Sequence, residues 1–143
     1  MAIKYYLERP RKLYQAIKRN EESAAHWHRM ASSVSGPSFD SERVSTSRST
    51  NAPFIYPLEK AIDMERTIQQ QYGELAELKT EVSATICLLD DGMQQLVLLN
   101  RYIRLMSWED IMVELSMSEY TVFALHRAAL KELEVKYDEK DQS

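Results

Sequence analysis

"SWEDIMVELSMSEYTVFALHRAALKEL", residues 107–133, decides how this chain reads. Ser107 is a strong helix N-cap and Asp110 holds the capping-box position, so a helix opens at Trp108 and runs through WEDIMVEL. Ser116-Met117-Ser118 leaves room only for a tight turn. Ser118 then caps a last helix from Glu119 to about Val135, anchored by Val122, Leu125, Ala129 and Leu133 at helical spacing. Two helices joined by a three-residue turn outline a helix-turn-helix. The face turned away from the apolar anchors offers Glu119, Tyr120, Phe123 and Ala124.

Outward from that segment the chain stays helical. "LLDDGMQQLVLLNRYIRLM" opens on Asp90-Asp91-Gly92, which breaks the chain and supplies carboxylates for a following helix start. Leu96, Leu99 and Ile103 form the stripe of that helix. Residues 55–88 carry Leu58, Ile62, Ile68, Tyr72, Leu75, Val82 and Ile86 at helical spacing, with a polar face rich in Gln and Glu. Residues 3–35 place Ile3, Leu7, Tyr14, Ile17, Ala24 and Ala31 in a 3-4 rhythm, flanked by Leu13, Trp27 and Val34. Glu21 and His28 fall on that seam. Pro10 cannot donate its backbone bond, which predicts a kink or a restart. Between the two long stripes, "GPSFDSERVSTSRSTNAP" (36–53) reads as a mobile linker with five Ser and two Thr. Its Arg43 and Arg48 could touch phosphate, although solubility alone accounts for them.

The expected architecture is therefore all-α. A long antiparallel helical hairpin pairs residues 1–35 with 55–89 across the 36–54 loop. The helix-turn-helix domain covers 90–137, and an acidic tail 138–143 follows. Tyr5, Tyr6, Leu13, Trp27, Ile68 and Tyr72 exceed what one seam can hide, which points to a homodimer.

The net charge of −4 is unevenly spread. Residues 1–50 hold nine Lys/Arg against five Asp/Glu, a balance of +4 that includes the arm Lys4, Arg9, Arg11 and Lys12. Residues 90–137 hold five against eight, a balance of −3. A reading head that lived on phosphate contacts alone would show the reverse. One cysteine, Cys87, allows no internal disulfide, suits a reducing cytosol and reads as a buried, inert thiol. No apolar run approaches the ~20 residues of a membrane span. The N-terminal MAIKYYLERP is charged too early for a secretory signal, so a cytoplasmic location is expected.

Catalytic chemistry finds no footing. His26 and His28 lie two apart and point to different helix faces, His126 stands far along the chain, and no Cys or carboxylate cluster accompanies them. No Gly-rich phosphate loop occurs. The expectation is a protein without catalytic residues, metal or cofactor.

The stretch "MQQLVLLNRYIRLMSWEDIMVELSMSEYTVFALHRAALKEL" resembles the helix-turn-helix of sigma-factor region 4. The pieces that carry this are Arg101-Tyr102, Ser107-Trp108-Glu109-Asp110-Ile111, Ser118, Thr121-Val122, Leu125-His126-Arg127 and Ala129-Leu130, with Glu42-Arg43-Val44 in the loop. Nearly the whole chain is similar to ArpU/RinA-type phage transcriptional regulators. That resemblance implies a regulator in a bacterial host cell that binds double-stranded DNA and could also touch RNA polymerase. Its implied DNA-binding residues are Ser118, Glu119, Tyr120, Thr121, Phe123, Ala124, Arg127 and Lys131, with Arg101 and Arg104 on the preceding helix.

The chain departs from the family where Tyr120, Ala124 and Ala128 replace basic residues and Ser116 replaces a common Gly. Each good base contact contributes about 1–3 kcal/mol of discrimination, so base reading is expected to be weakened. Arg127 and Lys131 would hold phosphate, while Thr121 or Phe123 could meet a thymine methyl. Trp108 is expected to pack under the preceding helix and set the angle of the motif. The other reading is a protein-binding adaptor, in which Tyr120 and Phe123 form a contact patch and DNA binding is slight.

Overall fold

The structure, a computed structural model, describes residues 2–35 and 53–142. All regular structure among them is helical: α1 (Ala2–Ser35), α2 (Ile55–Ile86), α3 (Gly92–Leu98) continued by a π-helical segment (Leu99–Ile103), α4 (Trp108–Leu115) and α5 (Glu119–Gln142). The linker, with Arg43, Arg48 and the Glu42-Arg43-Val44 fragment, lies outside the described residues, as do Met1 and Ser143. None of the helices is long and apolar enough to cross a membrane. The chain divides into two compact units, one of residues 1–14 and 74–143 and one of residues 15–73.

The buried positions of the long helices repeat every seven residues. In α1 they are Ile3, Pro10, Ile17, Ala24 and Ala31, joined by Leu7, and in α2 they are Ala61, Ile68, Leu75 and Val82, joined by Ile86. Two turns at 3.5 residues per turn return a side chain to the same face, the signature of a coiled-coil seam. This corrects the α2 stripe read from sequence: Leu58, Ile62 and Tyr72 are exposed, and Ala61 takes the inward place. Alanine supplies little hydrophobicity, so its role is visible only once the register is known.

α1 runs unbroken through Pro10, with no restart. The Tyr6 carbonyl, which Pro10 cannot serve, accepts instead from Arg9 Nε at 3.4 Å. α5 likewise runs past Val135, so residues 138–142 are helix rather than a separate tail. The segment VKYDEKDQ contains neither Gly nor Pro to end it, and Tyr137 gives it an anchor against the Tyr6 ring at 5.0 Å.

In the unit of residues 15–73, partner numbers fall along α2 as they rise along α1. Asn20 Nδ2 donates to Gln71 Oε1 at 2.9 Å, the Tyr72 hydroxyl donates to Glu21 at 2.8 Å, and His28 meets Glu65 at 3.2 Å. The Trp27 ring stands edge-on to Tyr56 at 5.9 Å. The His26-Trp27-His28 stretch is thus engaged in ring packing and a hydrogen bond, and no group of three or more His, Cys, Asp or Glu side chains could hold a metal among the described residues.

The other unit gathers Ile3 and Leu7 of α1, Val82 and Ile86 of α2, Leu89, Leu98, Tyr102, and Ala129, Leu130 and Leu133 of α5 into one core. Its edge is tied by the Tyr6 hydroxyl, bonded to Thr85 Oγ1 at 2.9 Å, and by an ion pair between Arg9 and Glu81. The core crosses residue 90 because the short helices after it have too little apolar surface to close on themselves. Cys87, expected to be buried, is exposed. It follows the last residue of α2, and the chain there turns Ile86 and Leu89 inward and the thiol outward.

Leu7 is fully buried. Leu7→Ala should therefore destabilise the unit by about 2–5 kcal/mol although it lies far along the chain from the helix-turn-helix. Urea unfolding followed by Trp108 fluorescence checks this, and an unchanged midpoint would contradict the shared core.

Candidate nucleic-acid interface

The candidate surface is the outer side of α5, and its placement begins in the segment before α4. α3 starts as the sequence predicts, with the Asp91 carboxylate accepting from the backbone N–H groups of Met93 and Gln94 at 2.8 and 3.1 Å. From Leu99 the helix widens, and the Arg104 N–H reaches the Leu99 carbonyl, five residues back, at 2.9 Å. A π turn takes in an extra residue and rotates everything after it. The expected stripe of Leu96, Leu99 and Ile103 is only half-buried, and Val97, Leu98, Asn100 and Tyr102 are the buried positions.

Those inward side chains organise the motif. The Tyr102 hydroxyl and His126 Nε2 share a buried hydrogen bond of 2.7 Å. Trp108 stands edge-on to both His126 and Phe123, each at 4.8 Å, and the Arg101 guanidinium lies 4.5 Å over the Trp108 ring. Trp108 thus meets the preceding segment, as expected, through a cation–π contact. Ile111, Val97 and Val122 fill a second small core, with Met112, Leu115, Met117 and Leu125 around it.

Asn100 is fully buried yet satisfied. Its Nδ2 donates to Glu114 at 3.1 Å and its Oδ1 accepts from Arg104 at 2.8 Å, while Arg104 also pairs with Glu114 at 2.8 Å. This triad fastens α4 to the end of the π segment. The link from Arg104 to α4 is held by two guanidinium groups. Arg11 Nη2 donates to the carbonyls of Arg101 and Met106 at 3.0 and 3.3 Å, and Arg101 Nη1 donates to the same Met106 carbonyl at 3.1 Å. Their convergence steadies a bend in which Leu105 adopts φ 58°. Burial first, and the Arg11 charge second, lower the proton affinity of Arg101 below its usual value.

α4 opens as the sequence predicts, with the Asp110 N–H donating to Ser107 Oγ at 3.1 Å. It closes on Ser116 at φ 54°, ψ 46°, with Ser116 N–H bonded to the Val113 carbonyl and Met117 N–H to the Met112 carbonyl. These paired bonds form a Schellman ending, usually built on glycine. Ser118 Oγ then accepts from the Thr121 N–H at 3.2 Å, capping α5.

The structure sorts the residues singled out in the sequence. Glu119, Tyr120, Thr121, Arg127 and Lys131 are exposed on α5, and Ala124 is half-buried. The Thr121 hydroxyl is engaged with Ser118 at 3.0 Å. Phe123, read as outward, is half-buried against Trp108. Arg101 and Arg104 are turned to internal work. Arg127 and Lys131 make no ion pair among the described residues. Sequence reasoning missed Asn100 and the Tyr102–His126 bond, although an Asn inside the apolar run VLLNRYI was an available signal.

Residues 33–134 match the family described as a protein of unknown function (DUF1492), and the chain belongs to that family. No curated protein and no solved structure matches the chain.

Two outcomes follow from this geometry. L residues are strained at the Ser116 backbone angles, so Ser116→Gly should raise stability by up to about 1 kcal/mol, read as a higher melting temperature. Burial first, then the charges of Lys4, Arg101 and Arg127, push the His126 pKa from 6.5 down to about 4. The unfolded chain binds that proton more readily, so the stability this neutral ring gives is complete above pH 6.5 and lost as pH falls toward 4. Thermal melts across that window should fall with acidification, and His126→Gln should flatten the dependence.

Proposed function

We propose that this protein is a phage or prophage transcriptional regulator that binds duplex DNA through residues 118–131 of a sigma region 4-like helix-turn-helix. The observation that carries the reading is α5 itself: a capped helix, backed by Trp108 and the Tyr102–His126 bond, whose exposed cations Arg127 and Lys131 make no ion pair among the described residues, although Lys131 shares a pocket with Asp90, Asp91 and Glu132. On this reading phosphate anchoring outweighs base reading. Arg101 and Arg104 hold the motif together rather than contacting bases, and Glu119 keeps non-specific affinity low. The protein works as a homodimer in the cytoplasm of its bacterial host, its long helices paired as an antiparallel hairpin. RNA polymerase is a further partner for the same head.

One observation favours the adaptor reading. Val113 and Tyr120, on α4 and at the start of α5, are 79% and 80% exposed. Apolar groups that open to water are found at protein contacts.

A salt titration of DNA binding separates the two. Arg127→Ala should weaken binding to all duplexes alike and lower the salt slope by about one. Tyr120→Ala should leave that slope unchanged. If Arg127→Ala binds duplex like wild type while Tyr120→Ala abolishes capture of a protein partner, the segment belongs to an adaptor.

A further inference from the structure

We infer that the first turn of α1 is a second phosphate-contacting element of the DNA interface, with Lys4 acting beside Arg127. This rests on the DNA-binding reading above and extends the interface to a helix outside the helix-turn-helix.

The N-terminal turns of α1 belong to the same compact unit as α5. Ile3 and Leu7 are fully buried in the core that holds Ala129, Leu130 and Leu133, and Arg11 reaches the carbonyls of Arg101 and Met106. Lys4 follows Ile3 directly and is exposed. It makes no ion pair among the described residues, in contrast to Arg9, which is paired with Glu81, and Arg104, which is paired with Glu114. Ile3, next to Lys4, packs in the same core as Ala129 and Leu130, which follow Arg127 within three residues, so the two cations are carried by elements that meet although they are distant in sequence. Glu8, one turn further along α1, makes no ion pair with Lys4.

Charge complementarity selects the occupant. Two exposed cations, carried by helices that share a packed core and making no ion pair among the described residues, suit successive phosphates of a backbone. Such contacts release counterions and so give a salt-dependent term. An apolar protein partner would gain nothing from them. The acidic balance of residues 90–137 also ceases to be a paradox. The head borrows part of its positive charge from α1, which carries the basic excess of the chain.

The test is fluorescence anisotropy of the full chain with a labelled mixed-sequence duplex, titrated with NaCl. Wild type is compared with Lys4→Gln, Lys4→Arg, Arg127→Gln and a remote control, Lys60→Gln. Lys4→Gln should lower the slope of log affinity against log salt by about 0.9, as Arg127→Gln does. Lys4→Arg should restore it, and Lys60→Gln should leave it unchanged. A wild-type slope in Lys4→Gln, with a lowered one in Arg127→Gln, would overturn this inference and leave the proposed function standing. An equal loss in Lys60→Gln would also overturn it, by showing that only overall charge matters. Absence of duplex binding by wild type at low salt would defeat both. Matching far-UV melts of the Lys4 variants keep the comparison free of folding effects.

Discussion

The hydrogen bond between Tyr102 and His126 joins the π segment to α5 in a place water does not reach. With Trp108 set edge-on to His126, all three elements of the head meet there. Burial raises the Tyr102 pKa to about 12 and lowers that of His126 to about 4, so both groups are neutral near pH 7 and one proton is shared between two uncharged atoms. Losing either partner would strand the other, at a cost of about 1–3 kcal/mol. The direction in which α5 presents its outer face depends on that contact. The π turn lies in the same frame and carries the buried Asn100 and Tyr102.

A consequence runs through the electrostatics. Basic residues are plentiful near the head, but most are consumed by structure. Arg104 closes the Asn100–Glu114 triad, Arg101 lies on Trp108, and Arg11 holds the bend at Met106. Arg11 Nε is buried without a hydrogen-bond partner, so this clamp is imperfect. A guanidinium is suited to such work because its planar fork can serve two carbonyls at once. What remains for an external anion is Arg127 and Lys131 on α5, with Lys4 on α1. The surface that would read DNA is therefore narrower than a count of Lys and Arg suggests.

Helix starts were legible because capping is local chemistry. Ser107, Asp91 and Ser118 each bond a backbone N–H two or three residues ahead, so their spacing alone announces the helix. The tight turn at Ser116 was equally local. Less was visible of the candidate site. Phe123 looked available until Trp108 was placed against it, and Cys87 looked buried until the end of α2 set its direction. The heptad seam was partly hidden because Ala61 marks a buried position weakly, whereas Leu58 and Ile62 mark exposed ones strongly.

The sequence by itself determined that this chain is helical, where most helices begin, and that Val122, Ala129 and Leu133 would anchor the last one. Those properties depend on periodicity and on bonds between near neighbours. Tertiary structure alone decided that Ile3 and Leu7 complete the core beside α5, that His126 is a buried partner of Tyr102, and that Arg101 and Arg104 are engaged by Trp108 and Glu114. Each of these joins residues separated by tens to more than a hundred positions, or depends on the rotation imposed by one π turn. No local pattern encodes them, because the free energy that selects them comes from burial shared between distant segments.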